Sequence, residues 1–386
     1  MEIHGKLLAE GLVNRGHTLD IITTSRPLET CSTGEDSLRL HYLEGAKFGS
    51  YIKGWKKECI KKLIELNKVP KFDIIWSQSY AGYPYTLDIK RKLGIPMLSI
   101  LHGTVAQAFH SLLINKNKKH TMPIYKLTSL FRIFYDYFFI QLPVLKSSDI
   151  VICVSKEIEH EVKKFYVVKG LETRVILNGI DCQKLSPNHI IRDQIRSNYS
   201  ITDQEILLLS VGSLTREKGH HFVLKILKTL ADESFPIKLM IVGAGPFRDT
   251  LEKMTSEMQL KNRVIFAGHV TNEDIPALYN AADIYLFPSL RKEGLPLTVI
   301  EAMSCGKPVV ATFSGSLKGV VQDGFNGFLF PRGDVTAAAD FIKILINDQA
   351  LARSMSANSR NLSLKHFNID RMLDLTIETF QTLLTK

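Results

Sequence analysis

The stretch Arg291–Thr312, RKEGLPLTVIEAMSCGKPVVAT, carries the strongest indication of the fold. An apolar run typical of a strand, Ile284–Phe287, precedes it, and another, Val309–Thr312, ends it. Gly294 permits a tight turn, and Pro296 suits the first turn of a helix, where its missing N–H is no loss. The order predicted from these features is strand, glycine turn, short helix and strand.

Two carboxylates flank the predicted turn and helix, with seven residues between them. Glu293 lies in the turn, and Glu301 lies about one and a half turns into the helix. Gly306 and Pro308 predict the end of that helix. The helix N-terminus offers backbone N–H groups and a positive dipole end to an anion, while carboxylates accept hydrogen bonds from sugar hydroxyls. This combination is what binding a sugar nucleotide requires.

The length and composition are typical of a soluble globular protein with two domains. The chain has 386 residues, of which 45% are hydrophobic and 23% are charged. The amino terminus lacks the pattern of a signal peptide, and no apolar run reaches the length of a membrane span. Five scattered cysteines without a C-x-x-C pair predict a reducing compartment, with neither a disulfide framework nor a zinc site: Cys31, Cys59, Cys153, Cys182 and Cys305.

The chain is basic, with a formal net charge of +10 and a pI near 9.2. Such an excess is compatible with nucleic acid, an anionic membrane or an anionic substrate as partner. The sequence contains no recognition-helix signature, no RNA-binding aromatic motif and no zinc-finger spacing, so no nucleic-acid partner is predicted. The membrane and the anionic substrate both stay open.

Strand-like apolar runs alternate with helical segments in both halves of the chain, which predicts parallel sheets buried on both faces. We predict two Rossmann-like domains, residues 1–185 and 186–365, a terminal helical segment at 366–386, and a linker over 181–200. The predicted strands are 18–23, 38–42, 73–76, 96–101, 149–154 and 174–177 in the first half, and 206–211, 238–242, 264–266, 284–287, 309–311 and 327–330 in the second.

The segment Arg291–Thr312 resembles the E-x7-E motif of the family-4 retaining glycosyltransferases, down to its tail Glu301–Thr312. The resemblance implies the GT-B fold, an α/β architecture in which two Rossmann-like domains face each other across a cleft. Asn178–Asp181 resembles the family's turn into the interdomain linker. The helix at about 369–384 resembles the one that crosses back to the first domain.

The resemblance also implies which residues bind the donor, a nucleoside diphosphate sugar that serves as co-substrate with no other cofactor and no metal. Lys218 matches the family lysine that holds the diphosphate. Ser213 stands where the family has an arginine, and Arg216 is close enough to replace it. The first domain is expected to bind the acceptor, a glycan or a lipid-linked sugar.

The remaining predicted site residues lie in and around the motif. Glu301 is expected to accept from the ribose hydroxyls. Glu293 and the Gly294-Leu295 backbone are expected to hold the donor sugar. Pro296 and Leu297 complete the donor-binding turn. His102 follows an apolar strand and resembles the family histidine at the donor sugar, so we predict catalytic roles for His102 and Glu293.

The amino terminus departs from the family pattern. Family members begin with a strand and a glycine-rich loop, whereas residues 2–17 have the pattern of the first helix. The first strand of the N-terminal domain is therefore predicted to be missing.

An aromatic segment in the first half has two interpretations. Lysines precede it, and aromatics beside lysines suit the interface of an anionic membrane, but an amphipathic helix packed on the first domain has the same pattern. The first interpretation predicts a cytoplasmic protein held peripherally on the inner face of the membrane. The aromatic segment comprises Leu127, Leu130, Phe131, Phe134, Tyr135, Tyr137, Phe138 and Phe139, and the lysines are Lys116, Lys118, Lys119 and Lys126.

The predicted function is retaining transfer of a sugar, from a nucleoside diphosphate sugar to a glycan or glycolipid acceptor, in the synthesis of cell-surface polysaccharide or glycolipid. The alternative is a non-catalytic GT-B scaffold or partner protein, which the missing strand and Ser213 favour. A nucleotide-dependent oxidoreductase is disfavoured, because the chain lacks G-x-G-x-x-G followed by a ribose-binding acid.

Overall fold

A computed structural model of the chain describes residues 2–24, 37–43, 54–68, 71–114 and 123–385, without the side chains of residues 2–3, 111–114 and 123–127. The chain forms two compact α/β units, residues 1–109, 121–179 and 369–386, and residues 110–120 and 180–368. Cys31 and three of the lysines before the aromatic segment, Lys116, Lys118 and Lys119, lie outside the described residues.

The first unit contains six strands, all in parallel pairs, among its described residues. The strands are β1 (Leu19–Thr23), β2 (Leu38–Tyr42), β3 (Ile75–Gln78), β4 (Met97–Leu101), β5 (Ile150–Cys153) and β6 (Glu172–Val175). The helices are α1 (Glu2–Val13), α2 (Trp55–Leu66), α3 (Leu87–Leu93), α4 (Val105–Ile114), α5 (Pro123–Tyr135), the π-helix Asp136–Gln141, α6 (Leu142–Ser147), α7 (Lys156–Phe165) and, from the chain's end, the last helix (Ile369–Leu384).

These strands form two sheets, a pair β1-β2 and a four-stranded sheet β3-β4-β5-β6. The strands β4 (MLSIL) and β5 (IVIC) are buried at every position, as parallel central strands require. The helix predicted at the amino terminus is confirmed as α1, and no strand precedes it in the described part of this unit.

The last helix packs on α1. Arg15 forms ion pairs with Asp370 at 3.1 Å and with Asp374 at 2.6 Å. Leu373 lies beside Gly11, where an added Cβ would come within 2.4 Å of its side chain. A glycine on α1 therefore lets the two helices approach closely.

The aromatic segment does not form one regular helix packed on the core. Helix α5 ends at Tyr135, and the chain continues as the π-helix. The rings of Phe131, Phe134, Phe138 and Phe139 are exposed, so the interpretation of a packed helix face is wrong for them. Tyr137 differs, because its ring stacks on that of Tyr166 at 5.2 Å.

The second unit contains a six-stranded parallel sheet. Its strands are β7 (Ile206–Val211), β8 (Ile237–Val242), β9 (Val264–Gly268), β10 (Ile284–Phe287), β11 (Val309–Thr312) and β12 (Gly327–Phe330). Its helices are α8 (His189–Asn198), α9 (His220–Asp232), α10 (Arg248–Glu257), α11 (Ile275–Ala281), α12 (Leu297–Ser304), α13 (Val335–Asn347) and α14 (Gln349–His366), which makes the last helix of the chain α15.

The strand order of this sheet is β12-β11-β10-β7-β8-β9. The chain thus builds outward from β7 to β9, returns to the other side of β7 with β10, and builds outward again. In a doubly wound sheet, ligands bind beyond the carboxyl ends of the strands at such a reversal. The order therefore directs attention to the loops that follow β7 and β10.

The linker predicted over 181–200 contains a regular helix, α8. The Asn188 side chain caps this helix by accepting from the Ile191 N–H. Arg196 is buried and donates to Asp283 at 3.0 Å and to the carbonyls of Thr202 and Glu205. The buried guanidinium thereby fixes α8 to the sheet. In the described part of the chain, no helix is both long and apolar enough to cross a membrane.

Candidate functional site

The loops after β7 and β10 touch each other at the point where the strand order reverses. The Leu290 N–H donates to the Glu217 carbonyl at 2.9 Å, which joins the two loops through their backbones. Gly219 has φ +79°, and a Cβ there would lie 2.0 Å from the Pro288 carbonyl oxygen. Only glycine fits this contact, so Gly219 allows both loops to occupy one crevice.

Lys218 and Glu293 meet in this crevice. The Lys218 Nζ lies 2.9 Å from Glu293 Oε1, and both side chains are largely shielded from water. The same Oε1 accepts from the Ser289 hydroxyl at 2.9 Å, while Arg291 Nε stands 3.9 Å from Oε2. Glu293 is thus surrounded by two cations and a hydroxyl donor.

Arg216 occupies a different environment from Lys218, although both belong to the 3₁₀ turn Arg216–Lys218. Its side chain is exposed, and among the described residues no ion pair joins it to a carboxylate. Burial, and then the charge of Arg216, lower the pKa of His221 to about 4. Arg216 therefore acts electrostatically on His221, while Lys218 faces Glu293.

The predicted short helix is confirmed as α12, which begins at Leu297. Pro296 occupies its N-cap, one position earlier than predicted, and its side chain cannot cap the first turn. Leu295 is buried beneath the turn that follows Gly294. The helix ends at Ser304, and Gly306 has the positive φ of +68° that the predicted stop requires. The positive end of α12 thus begins four residues after Glu293.

Glu301 lies within α12 and accepts a hydrogen bond at Oε2 from the Tyr279 hydroxyl at 2.7 Å. Burial raises the pKa of Glu301, and the bond from Tyr279 opposes that effect. Tyr279, on α11, is fully buried, so its hydroxyl depends on this acceptor. Sequence reasoning missed Tyr279, because nothing in its local sequence marks it as a partner of Glu301.

His102 follows β4 in the first unit. Its Nε2–H donates to Gln78 Oε1 at 3.0 Å, and the Gln78 amide lies 3.3 Å from His4 Nδ1. Burial, and then the charge of His4, lower the pKa of His102 well below its usual value. The ring is therefore neutral at physiological pH and can act as a hydrogen-bonding group toward a ligand. Sequence reasoning missed both Gln78 and His4, which orient this ring.

The second unit brings together the predicted donor residues Lys218, Glu293 and the turn Gly294–Leu297, while Glu301 lies farther along α12. Within the described residues, no cluster of three or more His, Cys, Asp or Glu side chains has a geometry that could hold a metal ion. The crevice thus holds a cation and a carboxylate in contact, on the loops that follow β7 and β10.

Comparison with known proteins agrees with this architecture. Residues 1–184 match the family model described as Glycosyltransferase Family 4, and residues 191–362 match the model described as Glycosyl transferases group 1. The two models together account for nearly the whole chain, one for each half.

Individual relatives and a solved structure extend the match. The chain is 26% identical to an uncharacterized glycosyltransferase of Methanocaldococcus jannaschii, over 99% of this chain and 94% of the relative. It is 26% identical to the UDP-Gal:alpha-D-GlcNAc-diphosphoundecaprenol alpha-1,3-galactosyltransferase of Escherichia coli, over 83% of this chain and 79% of the relative. Sucrose-phosphate synthase from Thermosynechococcus elongatus superposes with a TM-score of 0.80 at 22% identity, covering 99% of this chain and 93% of that one. The GT-B fold predicted from the sequence is confirmed.

Proposed function

The chain belongs to the family-4, group 1 glycosyltransferases, and we propose that it is a retaining enzyme that uses a nucleoside diphosphate sugar. The observation that carries the proposal is the contact of Lys218 with Glu293 at the reversal of strand order. A cation for the diphosphate and a carboxylate for the sugar are side by side there, next to the positive end of α12.

Each donor residue takes one part of the ligand in this proposal. Lys218 and the α12 N-terminus at Pro296-Leu297 neutralise the diphosphate, with Arg216 in a secondary role. Glu301 accepts from the ribose hydroxyls. Glu293 and the Gly294-Leu295 backbone hold the donor sugar. The neutral ring of His102 supplies a hydrogen-bonding group to the reaction rather than a charge.

We propose front-face transfer with retention of configuration. The bond from the anomeric carbon to the diphosphate oxygen breaks, the acceptor oxygen bonds to that carbon on the same face, and the acceptor's proton passes to the departing diphosphate. Glu293 and Glu301 are both engaged with hydroxyls, so neither serves as nucleophile. Lys218 and the helix dipole stabilise the charge that develops on the leaving group, and transfer is proposed to need no metal ion.

The proposed acceptor is a glycan or a lipid-linked sugar, and the proposed location is the cytoplasmic face of an anionic membrane, held peripherally. The name of the Escherichia coli relative specifies a lipid diphosphate acceptor, which supports this class. The net charge of +10 favours attraction to an anionic surface.

A panel of UDP-, GDP-, ADP- and dTDP-sugars, screened for thermal stabilisation, tests the donor site. The stabilising donor is then used in a transfer assay with EDTA, and proton NMR of the first product reports its anomeric configuration. We expect transfer that survives EDTA and retains the configuration. An inverted product would refute the retaining mechanism, loss of transfer in EDTA would refute the metal-independent account, and donor binding without transfer or hydrolysis would favour a non-catalytic family member.

A further inference from the structure

Five exposed aromatic side chains form one continuous surface on the first unit. We call this surface the aromatic face. Its members occupy positions i, i+3, i+4, i+7 and i+8 along the end of α5 and the π-helix, a spacing that puts them on one side. They are Phe131, Phe134, Tyr135, Phe138 and Phe139, with 66%, 60%, 47%, 53% and 64% of their surface exposed. An apolar surface of this extent marks a site of interaction rather than ordinary scattered exposure.

The π-helix that carries part of the aromatic face contacts the end of α7. Tyr137 in the π-helix donates its hydroxyl to the Phe165 carbonyl at 2.9 Å. Phe165 is itself exposed, and Val167 shortly after it is 91% exposed. The segment that contacts the π-helix therefore also carries exposed apolar side chains.

Basic side chains border this surface. Arg132 is exposed beside the aromatic rings and lies 3.9 Å from Asp136. Lys164 and Lys169 are exposed near Phe165, and Lys164 Nζ stands 5.6 Å from the Phe165 ring centroid. Aromatic rings bordered by lysine and arginine suit the interface of an anionic bilayer, where rings lie at the headgroup level and cations meet acidic headgroups.

We propose that the aromatic face is the surface by which the chain docks on an anionic lipid bilayer, with Arg132, Lys164 and Lys169 facing the acidic headgroups. This inference rests on the proposed function to the extent that the bilayer presents a lipid-linked acceptor. The charge complementarity selects a lipid surface over a second copy of this basic chain, because two copies would bring like charges together.

The docking surface is joined to the loop that carries His102. Tyr166, whose ring stacks on Tyr137, donates its hydroxyl to Gln141 at the end of the π-helix. The same hydroxyl accepts from the Val105 N–H at 3.0 Å. Docking that immobilises the π-helix therefore also stabilises the backbone at Val105, three residues from His102.

Sedimentation with sucrose-loaded vesicles tests the docking. Vesicles of phosphatidylglycerol and phosphatidylcholine are compared with vesicles of phosphatidylcholine alone, at low and high salt. We expect the wild-type chain to bind the anionic vesicles, and the Phe134→Ser/Phe138→Ser variant to bind at least tenfold more weakly. Phe325→Ser, which removes an aromatic of similar exposure from the second unit, serves as the matched control and should bind like wild type.

A second variant keeps the test decisive if the serine variant misfolds. Lys164→Glu/Lys169→Glu leaves the apolar rings in place, and we expect it to lose most of the binding to anionic vesicles. Wild-type protein that stays in the supernatant, or either folded variant binding like wild type, would overturn the proposal. Dimers in solution that the Phe134→Ser/Phe138→Ser change dissociates would reassign the aromatic face to a second copy.

Hydrogen exchange measured by mass spectrometry tests the connection to the loop. We expect anionic vesicles to slow exchange in peptides covering 129–141 and 103–109. Tyr166→Phe should keep the first effect and lose the second, because it removes the hydroxyl that holds Val105. Unchanged exchange at 103–109 in bound wild type would refute the connection. None of these measurements needs a donor sugar, so failure here would remove the proposed membrane location but leave the proposed sugar transfer standing. Failure of the donor screen would leave the docking standing.

Discussion

Replacing Glu293 by glutamine is expected to tighten the binding of a free nucleoside diphosphate while reducing sugar transfer. Glu293 now holds Lys218 at 2.9 Å, so a diphosphate must compete with a carboxylate for this cation. Glutamine has the same shape and still accepts from the Ser289 hydroxyl, but it carries no charge. The variant therefore removes both the competitor for Lys218 and a negative charge that repels the ligand.

The size of the effect follows from the geometry of the pair. At the 2.9 Å separation of this pair, two unit charges interact by about 6 kcal/mol at an effective dielectric constant of 20, before the cost of desolvation is subtracted. Exposed ion pairs contribute about 0.2–1 kcal/mol. The Lys218–Glu293 pair is partly buried, with 24% and 12% of the two side chains exposed, so it falls between these limits. An intermediate value of about 1–2 kcal/mol corresponds to a roughly 5- to 30-fold lower dissociation constant for the diphosphate.

The nucleotide sugar should behave differently from the free diphosphate. Its sugar hydroxyls lose a charged acceptor, which costs about 1 kcal/mol and offsets much of the gain. Transfer should fall at least about tenfold, because the acceptor for the reacting sugar is weakened.

Calorimetry with the free diphosphate and with the nucleotide sugar measures both effects. Glu217→Gln is the matched control, since Glu217 lies in the same crevice and contacts Arg291 at 3.4 Å. We expect this control to change the affinity for the diphosphate by less than about threefold. Weaker binding of the diphosphate to Glu293→Gln than to wild type would refute the competition between carboxylate and phosphate.

Three further predictions concern the second unit. Glu301→Ala should lower the free energy of unfolding by about 1–3 kcal/mol by leaving the buried Tyr279 hydroxyl without its acceptor, and it should weaken donor binding by about 1.5–3 kcal/mol. Glu301→Gln keeps an acceptor and should lose less stability. Unchanged donor affinity in both variants would remove Glu301 from the site. Lys218→Ala should weaken diphosphate binding about tenfold or more, and Arg216→Ala less, because Lys218 contacts Glu293 in the crevice whereas Arg216 is exposed. Calorimetry giving the opposite order would show that Arg216, and not Lys218, is the main cation for the diphosphate. Burial, and then the charge of Lys218, lower the pKa of His220 from 6.5 to about 4, so between these two pH values the unfolded chain binds more protons than the folded chain. The free energy of unfolding should therefore fall by about 1.4 kcal/mol per pH unit as the pH drops from 6.5 toward 4. Urea unfolding at pH 7 and pH 5 should show a smaller loss of stability in His220→Gln than in wild type.

Local patterns in the sequence were sufficient for the fold and for much of the donor site. Apolar runs of strand length placed the twelve strands of the described residues within two residues of their bounds. The match is clearest for β4, β5, β10 and β11, which are buried at every position, because a parallel strand buried on both faces must be apolar along its length. Glycine and proline placed both ends of α12 within one or two residues, since their backbone restrictions act locally. Helix α8 was missed inside the predicted linker, because its stability comes from the buried contacts of Arg196 with Asp283 and with distant carbonyls.

The sequence by itself determined the alternation of strands and helices, the turn before α12 and the presence of Lys218, Glu293 and Glu301. Only the tertiary structure decided that Lys218 and Glu293, 75 residues apart, form one ion pair, and that Glu301 accepts a hydrogen bond from the buried hydroxyl of Tyr279. The physical reason is the sheet order, which makes β7 and β10 neighbours although two strands separate them along the chain. Periodicity and turn residues report interactions within a few positions of each other, whereas the chemistry of this crevice depends on side chains that meet through the pairing of non-consecutive strands.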